Sequence, residues 1–306
     1  MNAAFEENLK KLLDSSTSFT SEIGRYILDS GGKRLRPRIV KLVGTAIGLS
    51  DEDILPLAYT VELMHTASLL HDDVVDGTEI RRSRPTANQV YGDKPALLAG
   101  DFISASAFEI VLRQGNLSVA LSMIQTIKKM AEGELKELEY AKSFHDNLEI
   151  YLDIIYLKTA SLFEFCSSAP GHLAGLSPDE IELLGLYGRN IGMGFQIVDD
   201  IINLTPNEED TKDAYNDIAE GKSTLPLVIL FRENPEVLSG VQAVKDLLQK
   251  QQYLIGHISQ DILLRSRDIA RNYLVNANER LTGTRFLTGE VSRISSSILS
   301  QLEERV

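Results

Sequence analysis

The sequence predicts an all-α protein, and three observations carry that prediction. Apolar residues recur at spacings of three and four, as in Leu57, Val61 and Met64, or Ile181, Leu184, Tyr187, Ile191 and Phe195, which is the helical period. No stretch alternates apolar and polar residues as a half-buried strand would. Turn-forming residues cut the chain into helix-sized blocks without any linker rich in glycine, serine or proline. One domain covering residues 1–306 and built of roughly ten or more helices follows.

The breaks fall at Gly31 and Gly32, at Ser50 to Asp53, at Gly92 to Pro95 and at Gly115 and Asn116. They continue at Phe144 to Asn147, Pro170 to Pro178, Thr205 to Lys212, Glu220 to Pro226 and Asn234 to Pro235. Ser50 with Asp53 three residues on reads as a helix cap, as does Ser177 before Pro178, Asp179 and Glu180, with proline first and acids in the first turn. From about Val237 onward the chain is a plain amphipathic helical region, assigned to packing.

Of the 306 residues 43% are hydrophobic, enough for a sizeable core, and the formal net charge is −13. The longest unbroken apolar run is Leu225 to Phe231, far short of the ~20 residues that span a bilayer, so no membrane-crossing helix is expected. The first residues lack the basic, apolar and small-residue order of a signal peptide, and Cys166 is the single cysteine, which together point to the cytoplasm. The net charge argues against nucleic acid as a partner. It hides a basic stretch, however, in which Lys33, Arg34, Arg36, Arg38 and Lys41 stand without an acid between Ser30 and Ser50.

Asp72, Asp73 and Asp76 form the sharpest constellation: on a helix Asp72 and Asp76 share one face, so carboxylates converge. Such a cluster suits Mg²⁺ with phosphate ligands, although a solvated acidic turn before Gly77 would look the same. The pattern returns downstream, Asp72-Asp73-Val74-Val75-Asp76 against Asp199-Asp200-Ile201-Ile202-Asn203, and two such helices facing a shared cavity would hold several Mg²⁺ ions and a diphosphate. Groups able to grip phosphate flank both copies: the Gly31 to Pro37 loop, Arg81 and Arg82, Lys158 with Thr159 inside an apolar helix, and Lys222 to Pro226. His65 and Gln196 are polar groups on apolar faces that serve equally well as core residues.

Taken in order, GGKRLRP at 31–37, HTASLLHDDVVDGTEIRR at 65–82, LKTASLF at 157–163, FQIVDDIIN at 195–203 and GKSTLP at 221–226 resemble the signatures of trans-type isoprenyl diphosphate synthases, long-chain type. The resemblance implies a bundle of antiparallel helices around a deep central cavity, a homodimer, and condensation of an allylic diphosphate with isopentenyl diphosphate. By the same resemblance Asp72, Asp73, Asp76, Asp199 and Asp200 hold Mg²⁺, three ions in all. Arg81, Lys158, Thr159, Gln196, Lys212 and Lys222 contact the allylic diphosphate, and Lys33, Arg36, His65 and Arg82 hold isopentenyl diphosphate. Ala67 and Ser68, one turn before the first motif, line the path of the growing chain; both are small, which in this family implies a long product of about seven to nine units. Eight units need a cavity of ~40 Å, the length of a helix of ~27 residues. Phe108, Met123 and Ile127 are candidates for its floor. Contact with a membrane is at most peripheral.

Two positions depart from the family pattern. Asn203 stands where an aspartate is usual, and Glu137 stands where a glutamine often follows the pair Gly133 and Glu134. Asn203 is expected to weaken metal binding without abolishing activity. Other readings explain less. A shorter-chain synthase shares every motif but not the small residues at 67 and 68, and a terpene cyclase needs no second diphosphate site. A metal phosphohydrolase leaves the second aspartate motif unused, and a non-catalytic subunit would be expected to have lost its aspartates.

Overall fold

The structure, a computed structural model, describes residues 3–82, 84–141, 143–206 and 215–302. It is helical nearly throughout, and its contacts divide it into two compact units, each drawing on separated stretches of chain.

The first unit takes Met1–Ile124 and Cys166–Ile181. It opens with α1 (Ala3–Lys11), α2 (Ser18–Leu28) and α3 (Leu35–Ala46), then the long α4 (Asp51–Val75). The expected cap of α4 is present, since the Ser50 hydroxyl oxygen accepts the Asp53 N–H at 3.3 Å, and Asp51, Glu52 and Asp53 occupy the first turn, where the helix dipole favours acids. After α4 come two strands of two residues each, β1 (Ile80–Arg81) and β2 (Arg84–Pro85), paired antiparallel with Arg81 opposite Arg84. This hairpin was not expected; two residues are too few for an alternation to register. α5 (Ala87–Tyr91) and α6 (Asp93–Arg113) follow, and α6 packs along α4 through Ala96, Ala99, Gly100, Ile103, Ala107 and Val111.

α6 also corrects an expectation, because by length and composition it is apolar enough to cross a membrane. A search for an unbroken apolar run misses it, as Asp101 and Glu109 interrupt the sequence. Its apolar residues divide between the buried face and an outer one, where Leu98 and Leu112 are 63% and 65% exposed.

The second unit takes Gln125–Phe165 and Glu182–Val306. It holds most of α7 (Leu117–Tyr140), then α8 (Leu148–Ile155), a single π-helical turn at Tyr156–Ala160, the start of α9 (Ser161–Leu173) and nearly all of α10 (Pro178–Leu204). α8 begins at Asn147, whose side-chain oxygen accepts the N–H groups of Glu149 and Ile150 at 2.9 and 3.2 Å. Beyond α10 lie α11 (Asn216–Ala219), α12 (Leu225–Glu233), α13 (Pro235–Ala243), α14 (Leu247–Ile255), α15 (Gln260–Leu281) and α16 (Gly289–Leu299). Phe144, Leu204, Ile218, Leu227, Phe231, Val241 and Leu254 form one buried apolar cluster, which ties the C-terminal helices to the end of α10. Val241 and Leu254 come from the stretch assigned to packing.

Candidate functional site

In the first unit the three aspartates gather at the C-terminal end of α4. Asp72 and Asp73 lie in its last turn, and the Asp76 N–H donates to the Asp72 carbonyl at 2.8 Å. This is the negative end of the helix dipole, an adverse place for carboxylates unless cations offset them. The hairpin supplies one: it returns Arg81 so that Nε and Nη2 each donate to Oδ1 of the buried Asp73 at 2.8 Å. Burial raises the Asp73 carboxyl above the ordinary aspartate range, and Arg81 partly offsets this. One guanidinium against three carboxylates leaves a donor set of hard oxygens that suits Mg²⁺.

A basic group stands in the same unit. Gly31 and Gly32 both adopt positive φ, 76° and 147°, and a β-carbon on Gly32 would lie 2.9 Å from Nη1 of Arg82, which donates to the Gly31 carbonyl. Arg36, Arg82, Arg81 and Arg34 all act on His65, and burial first and these charges second hold its imidazole well below its usual pKa. His65 is therefore neutral at pH 7 and offers a hydrogen bond rather than a charge. Lys33 is exposed at the start of the loop. Arg34, which the sequence reading did not select, proves structural: it is 9% exposed, donates to Glu6 at 2.9 and 3.0 Å, and pairs with the buried Glu62. Ala67 is buried and Ser68 half-buried, its hydroxyl donating to the His65 carbonyl at 2.9 Å. Of the residues considered for a cavity floor, Met123 is fully buried, whereas Phe108 lines an open groove on α6 with Ala105, Glu109, Leu112 and Arg113.

In the second unit the π turn carries Lys158 and Thr159. Glycines on two neighbouring helices make room for it. A β-carbon on Gly133 of α7 would come within 2.7 Å of the Lys158 nitrogen, and one on Gly192 of α10 within 2.5 Å of the Ala160 α-carbon. From this turn a hydrogen-bond chain runs into the second aspartate motif: Thr159 Oγ1 donates to Gln196 at 2.8 Å, Gln196 Nε2 donates to Asp200 Oδ1 at 2.9 Å, and Tyr151 donates to Asp200 Oδ2 at 2.6 Å. Asp199 is exposed while Asp200 is buried, and burial raises the Asp200 carboxyl despite these donors. The Asp217 carboxyl is likewise raised well above the ordinary aspartate range, by burial and then by Asp200.

Lys158 pairs with Glu134 at 2.7 Å and with Glu137; Lys222 lies 3.1 Å from Glu137 and also pairs with Glu220. Sequence reasoning did not select Glu134, Glu220 or Tyr151 as site residues, and it left the effect of Glu137 undecided. Asn203 also anchors the returning chain: its side-chain oxygen accepts the Asp217 N–H at 3.4 Å and its carbonyl the Tyr215 N–H at 3.1 Å. Lys212 lies outside the described residues.

Residues 17–258 match the polyprenyl synthetase family model, well over half of the chain. The chain belongs to the polyprenyl synthetase family. It is thus a prenyltransferase, and its all-α fold is that of its solved relatives. This prenyltransferase is 39% identical to the octaprenyl diphosphate synthase of Escherichia coli over 229 residues, 74% of this chain and 70% of that one. It is 36% identical to a short chain isoprenyl diphosphate synthase of Methanothermobacter thermautotrophicus over 228 residues, 72% of this chain and 70% of the other. A crystal structure of polyprenyl synthase from Caulobacter crescentus CB15, complexed with calcium and isoprenyl diphosphate, superposes with a TM-score of 0.87 at 28% identity, covering 97% of this chain and 94% of that one.

Proposed function

We propose that this prenyltransferase condenses farnesyl diphosphate with successive isopentenyl diphosphates to give an all-trans polyprenyl diphosphate of about seven to nine units, a product of roughly the length of its longest helices. The observation that carries the reading is the pairing of carboxylates with separate cation sets in both units. Asp72, Asp73 and Asp76 stand with Arg81 beside the Arg36, Arg82 and His65 group, and Asp199 and Asp200 belong to the unit that presents Lys158 and Lys222.

Asp72, Asp73, Asp76, Asp199 and Asp200 would hold Mg²⁺, three ions on the family reading, and the metal supplies Lewis-acid stabilisation of diphosphate oxygens. The protein's own groups do the rest. Breaking the allylic carbon–oxygen bond puts negative charge on the leaving diphosphate. Arg81, Lys158 and Lys222 stabilise that charge, helped by Thr159 and Gln196, with Lys212 a further contact. Lys33, Arg36 and Arg82 hold isopentenyl diphosphate, and neutral His65 adds a hydrogen bond. The isopentenyl double bond attacks the allylic cation and the proton it then loses passes to the departing diphosphate, so no side-chain base is needed.

α4, with 25 residues, has the length a ~40 Å hydrocarbon asks for, and the small Ala67 and Ser68 leave room for elongation. Leu98 and Leu112 on α6 and Leu117 and Leu121 on α7 are exposed apolar residues that a second copy could cover, which supports a homodimer. We place the enzyme in the cytoplasm as one functional domain of residues 1–306 with at most peripheral membrane contact.

Incubating the purified protein with Mg²⁺, farnesyl diphosphate and labelled isopentenyl diphosphate, then sizing the lipid, tests the reading. A ladder ending at C35 to C45 is expected. Products ending at C15 or C20 would assign it to the short-chain class, and phosphate release without elongation would make it a phosphohydrolase.

A further inference from the structure

Glu137 sits on α7 one turn beyond Gly133, and its Oε2 is an acceptor common to two ammonium groups, those of Lys158 and Lys222. Each lysine has a second acidic partner, Glu134 for Lys158 and Glu220 for Lys222. Two positive charges therefore face three carboxylates. The side chains of Lys158, Lys222 and Glu137 are only 18%, 18% and 15% exposed, so these are not the solvent-screened surface pairs that contribute little. The two lysines hold the Glu137 carboxyl below the usual glutamate range against the effect of burial, so it is ionised at neutral pH. The lysines that would grip a diphosphate are thus already engaged by fixed negative charge.

We propose that Glu137 is a positioning residue that ties Lys158 and Lys222 together and withholds them from bare anions, so that a diphosphate engages the pair only when a divalent cation offsets its charge. The inference rests on the function proposed above and deepens it. Glu137 sets how strongly diphosphate binding depends on metal, and how readily the product diphosphate leaves once metal is lost.

The test uses the full-length protein with inorganic diphosphate as the probe, titrated calorimetrically with and without Mg²⁺ into wild type, Glu137→Gln and Glu137→Asp. Steady-state kinetics with farnesyl diphosphate run in parallel. Wild type is expected to bind diphosphate only with Mg²⁺. Glu137→Gln, near-isosteric but uncharged, should bind it without metal at least about tenfold more tightly than wild type does, as expected for removing a charged competitor. It should also show a lower KM for the allylic substrate together with a lower kcat. Glu137→Asp, which keeps the charge, should keep the metal requirement. Equal metal-free binding by wild type and Glu137→Gln would overturn the proposal, as would metal-free binding by Glu137→Asp at the level of Glu137→Gln. Tight metal-free binding by wild type would overturn it whether or not either variant folds. Wild-type elongation is read separately: its absence would sink the function, whereas elongation with unaltered diphosphate binding in the glutamine variant would sink this inference alone.

Discussion

The Tyr151 hydroxyl donates to Oδ2 of Asp200 at 2.6 Å, and both residues are buried. Tyr151 at the start of α8 thereby orients a carboxylate near the end of α10, and a buried acid left without such a donor bears its full desolvation cost.

Replacing Tyr151 by Phe removes this donor while keeping the ring. The variant should lose about 1–3 kcal/mol of stability in urea denaturation. Since the hydroxyl also holds the Asp200 pKa down, half-maximal activity should require more Mg²⁺ and a higher pH than wild type. An unchanged Mg²⁺ dependence would remove Tyr151 from the site.

The raised carboxyls of Asp200 and Asp217 have a signed consequence. The folded, metal-free protein retains protons that the unfolded chain has released, so these groups destabilise the fold as pH climbs from the ordinary aspartate range through their raised pKa values. Asp200→Asn should therefore melt higher than wild type at neutral pH without Mg²⁺, yet lose activity. Mg²⁺ binding to wild type should release protons, seen as a binding heat that varies with the ionisation enthalpy of the buffer.

Ala67 and Ser68 lie one turn before the first aspartates, Ala67 buried and Ser68 half-buried. Ala67→Tyr and Ser68→Phe place bulk at that level and should shorten the dominant product, read by sizing the lipid. Unchanged length in both variants would show that these positions do not border the growing chain. Overpacking at Ala67 should also cost about 1–3 kcal/mol of stability.

Leu98 and Leu121 are 63% and 53% exposed on α6 and α7. Leu98→Glu with Leu121→Glu should convert a dimer, measured by light scattering, to a monomer while the far-ultraviolet spectrum stays helical. A monomeric wild type would refute the homodimer.

The parts of the site legible in the sequence are those that local geometry arranges. Asp72 and Asp76 share a face because they are four residues apart on one helix, and the caps at Ser50 and Ser177 act within three residues. The π turn at Tyr156–Ala160 was not legible, since five residues cannot separate its period from that of an α-helix. Neither was the role of Arg34: next to Lys33 and Arg36 it looks like another phosphate ligand, and only its contacts with Glu6 and Glu62 mark it as internal. That the side-chain oxygen of Asn203 accepts the Asp217 N–H was likewise not legible, since the two lie fourteen residues apart.

The sequence by itself determined the helical class, through periodicity that follows from 3.6 residues per turn, and the chemistry, through the kinds of side chain placed before and after each break. Tertiary structure alone decided the partners. Glu137 meets Lys158 and Lys222, and Tyr151 meets Asp200, across long stretches of chain. An ion pair or a buried hydrogen bond acts over a few ångströms, and which distant residues come that close is set by the packing of whole helices.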